Sequence, residues 1–364
     1  MPPVRLLLAA AGILSVVGAG SSGPGVQTLY RNTHGPISSF AQDGQLLAWF
    51  SSGPGGCNAV HVLSLGGVAV TLPKAGTRNV TCRWATRGTP VGLAVAAARG
   101  SALWTLRERA SVDLDYVVGA EVRQPRERRF SQLAHTVAGA GLWLGGVAGA
   151  GKTLVYSSTT VGYVDQVACL SGGSCERRIV GGAVHRVVAR RDLLVKGTSA
   201  ALELDASAGR IAYVRAAGVS DTGRPVPSPT LPIQVRKAAT GALVTRVEPD
   251  GLPLALSLSP HRLALLTRSG HTLRVSWYVA TTGRRLGSVR VPAGTSPQLA
   301  ASDRVVAFHV GRLIEAIDLT SRRAHKLLRA AAPPIGLSLQ GTRLAWAENV
   351  KGTGRIRALF LGRR

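Results

Sequence analysis

The feature that most restricts this 364-residue chain is the recurrence of one short motif: a proline, a short apolar strand, a turn and a second apolar strand. It appears as PISSFAQDGQLLAWF from Pro36, PVGLAVAAARGSALWTL from Pro90 and PLALSLSPHRLALLT from Pro253. PQLAASDRVVAFHV from Pro297 and PIGLSLQGTRLAWAE from Pro334 continue the series. An alanine of the second strand falls 12, 12, 11, 10 and 11 residues after its proline, at Ala48, Ala102, Ala264, Ala307 and Ala345. Two looser copies lack the proline: FSQLAHTVAGAGLWLGG (130–146) and AALELDASAGRIAYVRA (201–217). Apolar runs this short, bounded by Gly, Pro, Asp and Ser, read as strands and turns. The 44 glycines and 19 prolines agree, because both residues are poor in element interiors.

A second marker, a strand ending in a turn before a basic or apolar strand, recurs at 235–247, 277–291 and 315–328. Aligning Gly241, Gly283 and Ser321 gives steps of 42 and 38 residues. Four short strands in ~40–50 residues is the period of a β-propeller blade. The length left after a leader of ~25 residues predicts a single all-β domain over 26–364, a β-propeller of about seven four-stranded blades, with six or eight left open by the irregular stretch 150–200. The last copy stops one strand short at RIRALFLGRR, and VQTLYR (26–31) has no unit of its own. The N-terminal strand is therefore expected to complete the last blade and close the ring, which removes exposed edges. These repeats resemble the TolB-like and WD40-like propeller families, most clearly at QDGQLLAWFSSGPGGCNAVHVLSLGG (42–67). Asp43-Gly44 looks like the families' strand-connecting turn and LLAWF like their second strand. No Trp-Asp dipeptide ends a blade, so the resemblance implies the fold and carries over no functional residue.

Residues 1–25 place Arg5 before an apolar run from Leu6 to Ala19, followed by small residues. That order is a secretory signal's, with cleavage expected after Ala19, and an uncleaved N-terminal anchor is the alternative. The run of ~14 residues is shorter than the ~20 a helical span needs. Cys57, Cys82, Cys169 and Cys175 make an even count behind such a signal, which predicts disulfides with three connectivities open. Cys169–Cys175, enclosing LSGGS, and Cys57–Cys82 are the expected pairs. The spacings of 24, 86 and 5 intervening residues lack the two short arms of a four-cysteine zinc site. The expected location is secreted, extracellular or in a periplasm-like envelope.

Chemistry-bearing motifs are few. GVAGAGKT (146–153) matches a phosphate-binding loop, but TLVYSSTTVGYV after it is strand-forming where that loop needs a helix N-terminus. A Gly/Ala hairpin turn is expected instead. There is no G-x-S-x-G elbow and no H-E-x-x-H, and the eight histidines are scattered. Asp113 and Asp115 alternate onto one strand face and are expected to be a solvated blade surface rather than an acid/base or cation site. The net charge of +26 excludes a strongly acidic surface. Six lysines leave 38 arginines among the 44 basic residues. Arginine forks suit carboxylate and phosphate, which makes Arg123, Arg126, Arg128 and Arg129 the candidate contact for an anionic polymer. A GC-rich coding sequence would leave the same excess.

The expected function is a non-catalytic binding or scaffold module, recognising protein or glycan on one disc face. Weak anionic-polymer binding, no specific nucleic acid, no cofactor or metal, and a monomeric state complete that expectation. The alternative is an extracellular hydrolase or lyase at the central channel mouth. The axis discriminates them, and the inner strands PLALSLS, PIGLSLQ and PVGLAVAA predict a lining of Ala, Val, Gly and Ser.

Overall fold

The structure, a computed structural model, describes residues 25–362 apart from 33–34, 53–57, 73–90, 99, 109–111, 124–127, 137–139, 166, 168, 170–174 and 189–190. The leader (all but Gly25), Cys57, Cys82 and Arg126 thus lie outside the described residues. After β1 (Val26–Asn32) comes a four-stranded sheet of β2 (Ile37–Asp43), β3 (Leu46–Ser52), β4 (Asn58–Ser64) and β5 (Ala69–Leu72). β6 (Val91–Ala98), β7 (Ser101–Glu108), β8 (Val112–Glu121) and β9 (Arg128–Thr136) continue without a break into β10 (Gly141–Ala150), β11 (Thr153–Tyr163), β12 (Arg177–Val188) and β13 (Arg191–Leu194). A five-stranded sheet holds β14 (Ala201–Ser207), β15 (Arg210–Val219), β16 (Pro225–Pro227), β17 (Ile233–Lys237) and β18 (Leu243–Val247). The next holds β19 (Leu252–Leu258), β20 (Arg262–Ser269), β21 (Thr272–Val279) and β22 (Arg285–Val291). Then follow β23 (Ala300–Ala301), β24 (Val305–Val310), β25 (Leu313–Asp318) and β26 (Arg323–Arg329). The final strands β27 (Ile335–Gln340), β28 (Arg343–Val350) and β29 (Thr353–Phe360) share a sheet with β1, which pairs antiparallel with β29.

The arrangement is all-β and propeller-like, but among the described residues its hydrogen-bonded sheets do not number seven. Five have a blade's four or five strands, and the sixth is the eight-stranded sheet β6–β13. The cause is the single pair Gly141↔His135, which joins β9 to β10 where an edge was expected. The copy at 130–146 is therefore a seam rather than an inner hairpin. The hairpin in that place is β10–β11, and GVAGAGKT supplies its turn, with Ala150 opposite Thr153 and Gly151 at φ +60°.

The recurring alanine marks where sheets stack. Ala48, Ala102, Ala264, Ala307 and Ala345 are all buried and face Ala41, Ala97, Ser257, Ala300 and Ser338 on the innermost strands. A small residue on both sides lets the next sheet's backbone approach: a Cβ added at Gly149 would sit 2.3 Å from the Ala97 carbonyl oxygen. Apolar clusters fill the spaces between successive sheets. Trp49 of the first sheet packs with Ala345, Ala347 and Ile356 of the last. The two halves of the long sheet likewise pack on each other through Leu103, Val117, Leu154 and Tyr156.

Candidate functional site

The innermost strands β2, β6, β10, β14, β19, β23 and β27 surround an axial cavity of about 940 Å³. Its wall is Ala, Val, Gly, Leu and Ser, such as Ala41, Ala97, Val147, Gly149, Ala300 and Ser338. The ends of β2 and β14 add the carboxylates Asp43 and Asp205, and the turn after β23 adds Asp303 and Arg304.

Each carboxylate bonds a neighbouring unit. Asp205 accepts the Leu258 N–H at 2.7 Å, the Ser257 hydroxyl at 3.2 Å and the Ala206 N–H at 2.8 Å. Ser257 Oγ in turn accepts the Ala301 N–H at 3.0 Å, extending the stitch into the next sheet. Burial pushes the Asp205 carboxyl up to about 6, against the pull of these donors towards the ionised form. Asp303 accepts the Ser259 hydroxyl at 2.8 Å and the His261 N–H at 2.9 Å. Asp43 reaches the Gly151 N–H at 2.9 Å. The Gln42 amide donates to the carbonyls of Ser338 and Arg343, and its Oε1 accepts from Arg343 Nε at 3.0 Å. Four donors and acceptors that a ligand would need are thus already committed to holding strands together.

Asp113 and Asp115 are not the solvated pair expected. The Asp115 side chain is fully buried and takes two bonds from Arg107, at 2.6 and 2.7 Å. Arg107 lies directly opposite it on β7, so the pair forms as the strands zip. Asp113 lies 3.5 Å from His135, whose ring stacks on Trp143 at 3.7 Å between centroids. Burial holds the His135 imidazole below its ordinary pKa. Arg123, Arg128 and Arg129 are exposed beside the β8–β9 connection. Cys169 and Cys175 form a disulfide, consistent with an oxidising extracellular or envelope location.

Sequence reasoning missed a Ser-His-Asp row. Ser158 Oγ lies 3.4 Å from His185 Nε2, and His185 Nδ1 lies 3.2 Å from Asp192. Burial alone would raise Asp192, but the His185 ring and the Tyr156 hydroxyl at 2.6 Å hold its carboxyl below the usual value. The same geometry recurs elsewhere as Ser51–His61–Thr71, at 2.6 and 2.9 Å, where the third member is no acid. In both rows the histidine stacks on the aromatic residue two before the serine, Trp49 or Tyr156. Repetition with a threonine in the acid's place marks a packing device rather than a nucleophile relay. The aromatic-x-Ser spacing was its visible trace in the sequence.

No family model matches the chain, and no curated protein matches it in sequence. Among solved structures it is similar to the β-propeller domain of the trilobed protease from Pyrococcus furiosus, described as having an open velcro topology. That likeness has a TM-score of 0.55 at 8% identity and covers 90% of this chain and 96% of the other. A chain of a mitotic checkpoint complex is similar with a TM-score of 0.53 at 12% identity, over 98% of this chain and 99% of that one. At these identities the likeness defines the fold alone, a β-propeller.

Proposed function

We propose that the protein is a secreted or envelope-facing, non-catalytic binding or scaffold propeller of the TolB-like or WD40-like kind, recognising protein or glycan at one disc face. In this reading the eight-stranded sheet counts as two blades, because its halves pack on each other as separate sheets do. The ring then has seven blades, with β1 completing the last. The bonds of Asn349 to Ile37, both at 2.8 Å, support closure between last and first sheets. Export rests on the order of charge, apolar run and small residues in the leader, and on the Cys169–Cys175 bridge.

The observation that carries the binding reading is the commitment of Asp43, Asp205 and Asp303 to backbone N–H groups of other sheets and their hairpin turns. A general acid or base must be within reach of substrate protons, whereas these oxygens serve the scaffold. Gln340 and Arg304 at the mouth remain for a ligand. Probing peptide and glycan arrays with the full chain should give saturable binding that Gln340→Ala and Arg304→Ala weaken. Turnover of ester or glycoside reporters that vanishes in Asp303→Asn would instead establish the enzyme.

A further inference from the structure

Away from the axis, a second cavity of about 260 Å³ opens between the halves of the eight-stranded sheet. Leu103, Phe130, Leu154 and Val187 form its apolar floor, part of the cluster that packs the two halves together. Gly119 lines the wall beside Phe130. A Cβ there would lie 2.8 Å from the Phe130 ring and 3.1 Å from the Ala102 carbonyl oxygen, so only glycine fits beside Phe130. Two cations, Arg128 and Lys152, stand on the rim, both exposed and neither in an ion pair among the described residues. Glu121, the acid in the lining, is already engaged in an interaction of its own.

We propose that this cleft binds the C-terminus of a polypeptide ending in a large apolar residue. The volume decides the size: it lies below the ~300–1,000 Å³ of drug-sized pockets and suits one branched or aromatic side chain. The charges decide the chemistry, since an apolar floor beside two unpaired cations complements an apolar group carrying a carboxylate. Lys152 occupies this rim because GVAGAGKT is a hairpin turn, and the Gly151 N–H bonded to Asp43 holds that turn in place. The only residue lining both cavities is Gly151, whose N–H is already bonded to Asp43, and the two cations tested here do not line the axial cavity, so the site is tested separately from the function proposed above.

Calorimetric titration of the full chain with acetyl-Gly-Gly-Ala-Leu tests the site. Binding should exceed that of the same peptide's C-terminal amide, and of acetyl-Gly-Gly-Ala-Gly, by about tenfold, the equivalent of one charge-assisted hydrogen bond or one buried side chain. Lys152→Glu and Arg128→Glu should each cost a similar factor, with circular dichroism unchanged because both residues are exposed. If the amide or the glycine-ended peptide binds equally, a diffuse field or bare apolar contact is responsible and the site is refuted. Absence of binding, or binding indifferent to both charge reversals, refutes it too.

Discussion

Two acids show how differently a carboxylate can be kept inside this protein. Asp115 is fully buried and accepts two bonds from the Arg107 guanidinium, a charged partner. Removing one partner of a buried pair leaves a bare charge, so Arg107→Ala should destabilise by about 3–5 kcal/mol. Arg107→Met with Asp115→Leu should lose far less, and urea midpoints at constant slope would separate the two. Asp205 is the opposite case, meeting only neutral donors. Its folded value of about 6 lies above the ordinary 3.8, so between those values the folded state holds more protons than the unfolded one. Stability should therefore fall as pH rises through that window. Asp205→Asn, which keeps an acceptor for Leu258, should flatten the profile there. An unchanged slope would mean that burial is not what raises Asp205.

The seam between β9 and β10 hangs on one glycine. Gly141 has φ +127°, and a Cβ would lie 2.3 Å from the Ala134 carbonyl oxygen. Gly141→Ala should cost on the order of 1–3 kcal/mol from backbone strain alone. Hydrogen exchange should show amides of β9 and β10 losing protection before those of β20 and β21. The edge strands account for part of the positive charge. On β26 the residues Arg323, His325, Lys326 and Arg329 are exposed along an unpaired edge. Lysine and arginine there prevent edge-to-edge pairing with another chain. Replacing Arg323, Lys326 and Arg329 with threonine should leave the melting temperature nearly unchanged and raise light scattering with concentration.

At the scale of the whole molecule, β1 covers what would otherwise be the exposed edge of β29. Deleting Val26–Asn32 should lower the melting temperature and promote association through that edge, whereas an open ring indifferent to β1 would keep both. The arginine excess has its own test. If the group Arg126, Arg128 and Arg129 contacts an anionic polymer, reversing its charge should weaken duplex binding more than reversing three dispersed arginines. Log affinity should fall with log salt at about −0.9 per phosphate neutralised. Equal losses from the two triplets would assign the charge to a diffuse field.

Strand positions, hairpin turns and the buried alanine of each repeat were legible in the chain, because alternation and turn chemistry act over a few residues. Ala264 and Ala345 are buried where the motif put them, and Cys169–Cys175 closes across five residues. The hairpin role of Gly151-Lys152 followed from the β-branched run after it. The seam at Gly141, the Arg107–Asp115 pair and the cleft under Phe130 were not legible in that way. Nor was the reach of Asp205 to Leu258, which spans 53 residues. Local units and their period can thus be read along the chain. Which sheets merge, which carboxylates are spent on backbone amides and where apolar floor meets free cations depend on distances between residues far apart in the chain, which local propensity never compares.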